Sequence, residues 1–241
     1  MTNTCMLTVV ICTYNDGSYL RNAVSSVIAQ TKRNWELIIV NDGSEDNTKT
    51  ILDSLVGNPS IRVVHNRVNL GKAACLNIAL NEAKGEWLME LDADDWLPNK
   101  CTEKLEEQIL ALNNDVALIY GKYKEWRERT RDGALFFSKI HGRKYVDLMQ
   151  YINNPTPIAP RVYKMDLLRK SNGWCLSDMY GGRMYEDIYM VCTISKLGKV
   201  EFVNDVLYHR RLRKNSISNK TSTNYISWKE WMISTLIKGS E

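Results

Sequence analysis

The chain has 241 residues, of which 44% are hydrophobic and 25% are charged, and its formal net charge is +4. These values are typical of an ordinary globular protein that buries a sizeable core, as one large domain or as one domain with an appendage. The basic residues are concentrated in residues 122–131 and 209–214. A small net charge with basic residues in two short segments argues against a nucleic-acid-binding protein, which would need a continuous basic face.

The six cysteines do not form a zinc-binding or disulfide pattern. No two of them lie in a C-x-x-C pair and most are in apolar runs, so we expect reduced, mostly buried thiols in a cytoplasmic protein. The first five residues lack the positively charged start of a signal peptide. No apolar run approaches the about 20 residues of a membrane-spanning helix. Any membrane contact is therefore expected to be peripheral, at the inner face of the membrane.

Strands and helices are predicted to alternate four times over about the first 95 residues. Residues 6–12 are a continuous apolar run, typical of a strand buried on both faces. Further strands are predicted at residues 36–40, 61–64 and 87–91, of which the last is mostly apolar. A helix is predicted after each of the first three strands, with Ser44 as the cap of the second helix and Gly85 at the end of the third. This alternation predicts right-handed βαβ crossovers and a parallel sheet with helices on both sides.

Polar loops follow three of these strands, at residues 13–16, 41–44 and 92–95. Ligands of such sheets bind outside the carboxyl ends of the strands, so the three loops are expected to converge on one rim. The third loop carries Asp92, Asp94 and Asp95, whose like charges repel each other unless they are neutralised. Mg²⁺ or Mn²⁺, which takes one or two carboxylates with water and the phosphates of a nucleotide, is one remedy. A solvated acidic turn that caps the next helix is the alternative.

The pattern changes in the second half of the chain. Residues 99–112 are predicted to form a helix and residues 116–120 a strand, and the charged and aromatic residues 122–139 favour a hairpin. Prolines then interrupt the chain at Pro155, Pro157 and Pro160. No internal repeat or low-complexity linker divides the sequence, so we do not expect independently folding domains.

The end of the chain contains a glycine-rich loop and a basic segment. Residues 171–185 form the loop, which leads into Glu186 and Asp187 and then an apolar helix at residues 188–197. Residues 206–218 are predicted to be a short strand followed by the basic segment. Five apolar residues near the C-terminus have the spacing of an amphipathic helix: Trp228, Trp231, Ile233, Leu236 and Ile237. That helix packs on its own domain, on another subunit of a homo-oligomer or on a membrane.

Five motifs in order resemble those of family 2 glycosyltransferases with the GT-A fold. They are Val9-Val10-Ile11-Cys12-Thr13-Tyr14-Asn15, Val40-Asn41-Asp42-Gly43-Ser44, Asn69-Leu70-Gly71-Lys72, Leu91-Asp92-Ala93-Asp94-Asp95 and Glu186-Asp187. The likeness covers about residues 6–218, although residues 122–185 carry much less of it. Cys12 departs from the family, where proline is common, and we interpret it as a packing change.

The resemblance implies an α/β fold with a Rossmann-like nucleotide-binding mixed sheet flanked by helices. It predicts a single domain over residues 1–241, with a C-terminal acceptor-side subregion. In that division, about residues 1–121 form the nucleotide-sugar-binding half, about 122–218 the acceptor-side half and 219–241 a C-terminal helical tail.

The resemblance also implies a site for a nucleoside diphosphate-sugar. Its members here are Thr13, Tyr14, Asn15, Asp42, Asn69, Gly71, Lys72, Asp92, Ala93, Arg211 and Arg213. Tyr14 would stack on the base, Asp42 would accept a hydrogen bond from it, and Lys72 would offset phosphate charge. The ordinary alternatives for these three are a loop aromatic, a turn-forming aspartate and an exposed lysine at a helix start.

By the same resemblance, Asp94 ligates Mn²⁺ or Mg²⁺, and Asp92 binds ribose or supports the metal, which bridges the two donor phosphates. A histidine is frequent in the basic C-terminal segment of related enzymes, and some of them use one near this place as a metal or phosphate ligand. Arg213 occupies that position here, and His209 lies four residues earlier. We therefore expect Arg211 and Arg213 to contact the diphosphate. A solvated basic surface, or attraction to an acidic membrane, is the alternative.

Asp187 is expected to be the general base that takes the proton of the acceptor hydroxyl, because the family's Glu-Asp pair lies at this point. Its ordinary alternative is a first-turn acid that stabilises a helix. The expected reaction transfers a sugar from a nucleoside diphosphate-sugar to an acceptor hydroxyl with inversion of the anomeric centre. A UDP-sugar is the donor expected first. This would serve the synthesis of a surface polysaccharide or another glycoconjugate.

Two other functions are left open. Nucleotidyl transfer shares the sheet and the metal, but it usually begins with a glycine-rich loop carrying Arg and Lys, where this chain has Thr13-Tyr14-Asn15. A non-catalytic nucleotide-sugar-binding module would be expected to lose Asp94 or Asp187, and this chain has both. The acceptor, whether a glycan, a lipid-linked glycan, a peptide or a small molecule, is not specified by the sequence.

Overall fold

The computed structural model of the protein describes residues 6–55, 57–129, 131–213 and 224–236. The strands are β1 Leu7–Thr13, β2 Trp35–Asn41, β3 Ile61–His65, β4 Trp87–Glu90, β5 Val116–Glu128, β6 Leu135–His141, β7 Ala159–Lys164 and β8 Lys199–Leu212. The helices are α1 Gly17–Ile28, α2 Thr48–Asp53, α3 Lys72–Glu82, α4 Cys101–Ala111, α5 Leu148–Asn153, α6 Met165–Lys170, α7 Glu186–Ser195 and α8 Tyr225–Leu236. In this part of the chain the strands form one eight-stranded mixed sheet.

The first four strands form the predicted parallel half of the sheet, in the order β3-β2-β1-β4. Leu7 in β1 pairs with Trp35 in β2 on one side and with Trp87 in β4 on the other. Successive residues of β1 fill both faces, with Val9 in one core cluster and Val10 in the other. The prediction of a parallel sheet is confirmed, although β3 is an edge strand and is only half-buried.

Beyond β4 the sheet becomes mixed. β7 lies antiparallel between β4 and β5. β5 pairs antiparallel with β6 and parallel with β8. The hairpin predicted at residues 122–139 is confirmed, but its first arm is continuous with the preceding strand, so the predicted end at Tyr120 is wrong. The last strand begins at Lys199, earlier than the prediction from residue 206, and residues 214–218 lie outside the described part of the chain.

Helices cover both faces of the sheet. One core cluster packs α1, α2 and α4 against it, and the other packs α3 and α5 to α8. Trp228 in α8 is fully buried, and its Nε1 donates to Asp178 Oδ2 at 3.0 Å. The amphipathic C-terminal helix therefore packs on its own domain, while Ile237 lies outside the described residues. No helix in the described part of the chain is long and apolar enough to cross a membrane.

Two predicted helix boundaries are wrong for a clear reason. α2 begins at Thr48 rather than after Ser44, because Ser44 Oγ instead accepts a hydrogen bond from Asn15 N at 3.0 Å. α3 ends at Glu82, before Gly85. Gly85 lies against β1, where a Cβ atom would be 2.6 Å from Thr8 N, so close backbone packing requires glycine there.

The helix expected at residues 188–197 is shifted toward the N-terminus. α7 begins at Glu186 and ends at Ser195. Tyr185 directly precedes it in the left-handed conformation, with φ of 60°. Both acidic residues of the Glu186-Asp187 pair therefore lie in the first helical turn.

Candidate functional site

The predicted polar loops lie together at the carboxyl edge of the parallel strands. The first and second loops are joined because Asp42 N donates to Thr13 O at 2.9 Å. The first and third are joined by Arg213, whose Nη1 is 3.1 Å from Asp16 Oδ1 and whose Nε is 2.7 Å from Asp94 Oδ2. The predicted convergence is confirmed.

Asp42 anchors the loop that precedes α3. Its carboxylate accepts hydrogen bonds from Leu70 N and Gly71 N, each at 2.8 Å, and from Asn66 Nδ2 at 2.9 Å. Burial raises the pKa of Asp42, but these three donors outweigh burial and hold it below the ordinary value. The carboxylate is therefore ionised and is already committed to this loop. Its contact with a base stays a prediction.

The three residues at the end of β1 are placed differently. Tyr14 is 44% exposed, so its ring is open to a ligand. Thr13 is buried, and its Oγ1 makes no hydrogen bond within the described residues. Asn15 holds the second loop, because its Oδ1 accepts from Glu45 N at 2.8 Å.

Asp92 and Asp94 are both paired with basic side chains. Asp92 Oδ1 is 2.6 Å from Lys72 Nζ, and Asp94 Oδ2 is 2.7 Å from Arg213 Nε. Burial raises the pKa of Asp92, but the charges of Lys72 and Arg161 outweigh burial and hold it well below the usual range. Burial and the charge of Asp92 raise the pKa of Asp94. The loop is therefore not the freely solvated acidic turn of the alternative interpretation, and Lys72 is not a solvated surface lysine.

Asp95 is the buried member of the three. Its Oδ1 accepts a hydrogen bond from Arg211 N at 2.6 Å. Burial, together with the charges of Asp94 and Asp92, raises the pKa of Asp95 well above its usual range. Asp92 N donates to the hydroxyl of Tyr208 in β8 at 3.1 Å. These contacts fix the loop to β8 and place the basic end of that strand beside the carboxylates.

The chemistry of this loop fits a hard divalent cation. Within the described residues, no three Asp, Glu, His or Cys side chains are arranged to hold a metal ion by themselves. Mg²⁺ does not require such a set, because it takes one or two carboxylates and completes its shell with water and phosphate oxygens. Asp94 and Asp92 would supply the carboxylates, provided that Arg213 gives up its ion pair with Asp94. The cation would therefore bind together with a ligand whose phosphate oxygens help to complete its coordination shell.

Arg211 and Arg213 stack over one aromatic ring. Their guanidinium carbons lie 4.7 Å and 4.6 Å from the ring centroid of Tyr19 in α1. Arg211 Nε also donates to Asp94 O at 3.0 Å. Ala93 is buried, so any contact that it makes with a ligand would be through its backbone. The two arginines form an ordered cationic group at the rim rather than a loose basic surface.

Asp187 faces this rim from α7. Its side chain is 38% exposed, and its Oδ2 lies 3.6 Å from Arg161 Nη1. Its Oδ1 accepts from Ile188 N at 2.9 Å. Glu186 is more buried and lies 3.7 Å from Lys72 Nζ. Burial raises the pKa of Glu186 to about 7, and the charge of Asp187 adds to this while Lys72 opposes it. The more exposed Asp187 is thus better placed to reach a ligand.

Sequence reasoning missed a buried network beneath these groups. Arg161 Nη2 donates to Glu90 Oε2 at 2.9 Å, and the Tyr163 hydroxyl donates to Glu90 Oε1 at 2.9 Å. The available signal was one buried charged residue in each of two mostly apolar strands, Glu90 in β4 and Arg161 in β7. A charge in a buried strand is rare unless it is paired, so each residue should have prompted a search for a partner.

Arg183 is a second residue that the motifs did not indicate. Its Nη1 donates to Asn69 Oδ1 at 2.6 Å, and its Nη2 donates to Asn69 O at 3.0 Å. A Cβ atom at Gly71 would lie 3.0 Å from Arg183 Cγ. Asn69 and Gly71, which were predicted to frame the donor, therefore also hold the loop that leads into α7.

Comparison with protein families gives one match that covers most of the chain. The sequence model described as "Glycosyl transferase family 2" matches residues 8–170. The glycosyltransferase GlyA of Streptococcus pneumoniae serotype 4 is 28% identical over 229 residues, which is 88% of this chain and 31% of that protein. The chain thus spans about a third of the length of this relative.

Two solved structures share the fold. The S. aureus TarS fragment 1–349 in complex with UDP-GlcNAc aligns over 96% of this chain and 67% of its own, with a TM-score of 0.72 and 17% identity. The mannosyltransferase PcManGT from Pyrobaculum calidifontis, in complex with GDP-Man and Mn²⁺, aligns over 92% of this chain and 62% of its own, with a TM-score of 0.62 and 17% identity. At these identities the likeness shows the architecture, which is the GT-A arrangement expected from the motifs.

Proposed function

Because the chain belongs to glycosyl transferase family 2, we propose that it moves a sugar from a nucleoside diphosphate-sugar to an acceptor hydroxyl with inversion. The observation that carries the proposal is the placement of Asp187 near a rim that also holds the paired Asp92 and Asp94. Buried Arg161 and Glu90 connect the two sides. A donor bound along the rim would then have its leaving diphosphate on one side and a base on the other.

The nucleotide end of the donor would lie over the first and second loops. The exposed ring of Tyr14 supports stacking of a base there, and the ionised Asp42 can accept from a base N–H. UDP and GDP are the nucleotides of the donors in the two similar structures. A UDP-sugar is our first choice of donor, and GDP- and dTDP-sugars follow.

The diphosphate would lie between Lys72 and the arginine pair. Arg211 and Arg213 offer guanidinium groups, which suit phosphate oxygens. Asp94, supported by Asp92, would hold Mn²⁺ or Mg²⁺ together with those oxygens. When bound, that ion neutralises the negative charge that develops on the departing nucleoside diphosphate. Arg213 would leave Asp94 for the phosphates in the same event.

Asp187 would act as the general base. An acceptor hydroxyl is a poor nucleophile while it carries its proton, and a carboxylate within hydrogen-bond reach can take that proton as the new bond forms. Because base and leaving group lie on opposite sides of the sugar, a single displacement inverts the anomeric carbon. The acceptor would lie over the second half of the chain, about residues 122–218, while about residues 1–121 bind the donor.

A donor panel tests this function. UDP-, GDP- and dTDP-sugars are incubated with the protein, with Mn²⁺ or with EDTA, and release of the nucleoside diphosphate is measured. We expect slow hydrolysis of at least one donor in Mn²⁺ even without an acceptor, and loss of that release in Asp187→Asn. Release of pyrophosphate from a nucleoside triphosphate and a sugar phosphate would instead identify a nucleotidyltransferase. Binding of donors without any turnover would identify a non-catalytic module.

A further inference from the structure

Arg161 in β7 lies between the strand that carries Glu90 and the helix that carries Asp187. It is 8% exposed. Its Nη2 donates to Glu90 Oε2 at 2.9 Å, its Nη1 donates to Ile158 O at 3.1 Å, and the same Nη1 lies 3.6 Å from Asp187 Oδ2. The guanidinium thus lies within ion-pair distance of both Glu90 in β4 and Asp187 in α7.

The Nε atom of Arg161 is buried and has no hydrogen-bond partner within the described residues. A site evolved only to stabilise the fold gains little from such a group, because a buried ion pair is often no more stable than well-packed apolar residues of the same volume. An unsatisfied buried donor adds a further cost. The stability of the sheet alone therefore does not account for an arginine at this position.

The contact with Asp187 gives Arg161 a role other than stabilising the sheet. Ile188 N holds one oxygen of the Asp187 carboxylate at 2.9 Å, and the Arg161 guanidinium faces the other oxygen at 3.6 Å. These two contacts, on different oxygens, favour one orientation of the carboxylate. The guanidinium also offsets the negative charge of Glu90, to which it donates at 2.9 Å.

We propose that Arg161 is a positioning residue for transfer, which orients Asp187 and ties it, through Glu90, to the end of β4, just before the loop that carries Asp92. This rests on the proposed function, in which Asp187 is the base. The strand β4 carries Glu90 two residues before Asp92. The Arg161–Glu90 pair therefore sets the separation between the base and the side of the leaving diphosphate. Small errors in such a separation are costly for a displacement reaction.

The test removes the ion pair in two steps. Arg161→Met alone removes the closest cation from buried Glu90 and leaves only Lys72 Nζ, at 3.8 Å, to offset its charge. It is therefore expected to destabilise the fold as well as to slow turnover. Glu90→Gln combined with Arg161→Met leaves no unpaired buried charge, and the amide oxygen of the introduced side chain can still accept from the Tyr163 hydroxyl. The double variant is therefore expected to unfold at a urea concentration close to that of the wild type.

Turnover then separates positioning from mere stability. For the sugar nucleotide that the wild type hydrolyses fastest in the donor panel, we expect the folded double variant to lose about 100-fold in kcat, within the range that a general base contributes. Its affinity for UDP, by calorimetry, should stay within about threefold, because Lys72 keeps its closer ion pair with Asp92 at 2.6 Å when its 3.8 Å contact with Glu90 is lost. Arg161→Lys keeps the charge and should recover part of kcat.

A matched control uses the exposed pair of Arg62 in β3 and Glu82 in α3. The double variant Arg62→Met with Glu82→Gln should keep full turnover. A folded Glu90→Gln, Arg161→Met variant with wild-type kcat would overturn the positioning role, and so would a loss confined to UDP affinity. Absence of turnover in the wild type, or wild-type turnover in Asp187→Asn, would instead overturn the proposed function.

Discussion

The two halves of the sheet differ in how they use their strands. In the half formed by β1 to β4, parallel strands end in polar loops, and the predicted donor residues follow directly after the strands or begin α3. In the half formed by β5 to β8, long strands and short helices place Arg161, Tyr208 and Asp187 through contacts between distant segments. The first half therefore positions the residues predicted to bind the donor through local sequence, and the second half adds to the candidate site through tertiary packing.

The largest loss of turnover is expected from a substitution in the second half of the sheet. Asp187→Asn should lower kcat by about 10²–10⁴-fold, the contribution of a general base, and should leave UDP affinity nearly unchanged. Donor hydrolysis and calorimetry with UDP measure the two quantities.

Asp166→Asn is the matched control for this variant. Asp166 is the first-turn acid of α6, and its Oδ1 accepts from Leu167 N at 2.8 Å, as Asp187 does from Ile188 N. It should keep full turnover. Equal losses in both variants would mean that Asp187 only stabilises its helix.

The next largest loss of turnover is expected at Asp94, which is proposed to hold the metal beside the first half of the sheet. Asp94→Asn should keep the fold and lose most donor turnover, about 100-fold or more, because a single electrostatic stabiliser of developing charge contributes on that order. EDTA should have a similar effect on the wild type, and added Mn²⁺ should reverse it. Asp53→Asn, on the exposed surface of α2, is the control. Full turnover in EDTA would remove the metal from the account.

A smaller effect is expected at Tyr14 in the first half, which is proposed to stack on the base. Tyr14→Ala should weaken UDP binding by about 1–3 kcal/mol, the cost of one base–aromatic stack, without changing stability. Tyr14→Phe keeps the ring and should bind normally. Asp42→Ala should weaken binding and also lower the free energy of unfolding, because it leaves Leu70 N and Gly71 N without their acceptor. Unchanged UDP affinity in Tyr14→Ala and Asp42→Ala would refute the placement of the base.

The smallest effect is a pH dependence of stability in the second half. Burial raises the pKa of Glu186 to about 7, whereas an unfolded glutamate titrates near about 4.3. Between these values the native state binds more protons than the unfolded state, so the free energy of unfolding falls as pH rises through this window. Glu186→Gln removes this contribution to the pH dependence of the free energy of unfolding.

Relative to the wild type, Glu186→Gln should therefore gain stability at about pH 8 and little at about pH 4, in urea unfolding at each pH. Parallel pH profiles for the two proteins would show that Glu186 does not titrate in this window.

The contrast between the halves also explains what the sequence could predict. β1, β2 and β4 are buried on both faces, so their apolar runs are visible without any partner. β5 was predicted too short because charged Lys122 and Lys124 interrupt its apolar run. The strand continues past them because β6 and β8 pair with it on either side.

The same reasoning applies to the site. Asp92 and Asp94 were found because three carboxylates in four residues are conspicuous in a sequence. Arg161 was missed because its partners are far from it in the chain. The antiparallel pairing of β4 with β7 brings Glu90 opposite Arg161, and Asp187 comes from α7. The ion pair of Arg213 with Asp94 was missed for the same reason.

The central claim is that a base and a leaving diphosphate lie on opposite sides of the transferred sugar. Proton NMR during hydrolysis of an α-linked sugar nucleotide from the donor panel tests this directly, because the first anomer of the free sugar is visible before it equilibrates in solution. The account predicts that the β anomer accumulates first, and that Asp187→Asn produces neither anomer at a comparable rate. Early accumulation of the α anomer would contradict inversion and, with it, the assigned arrangement of the site.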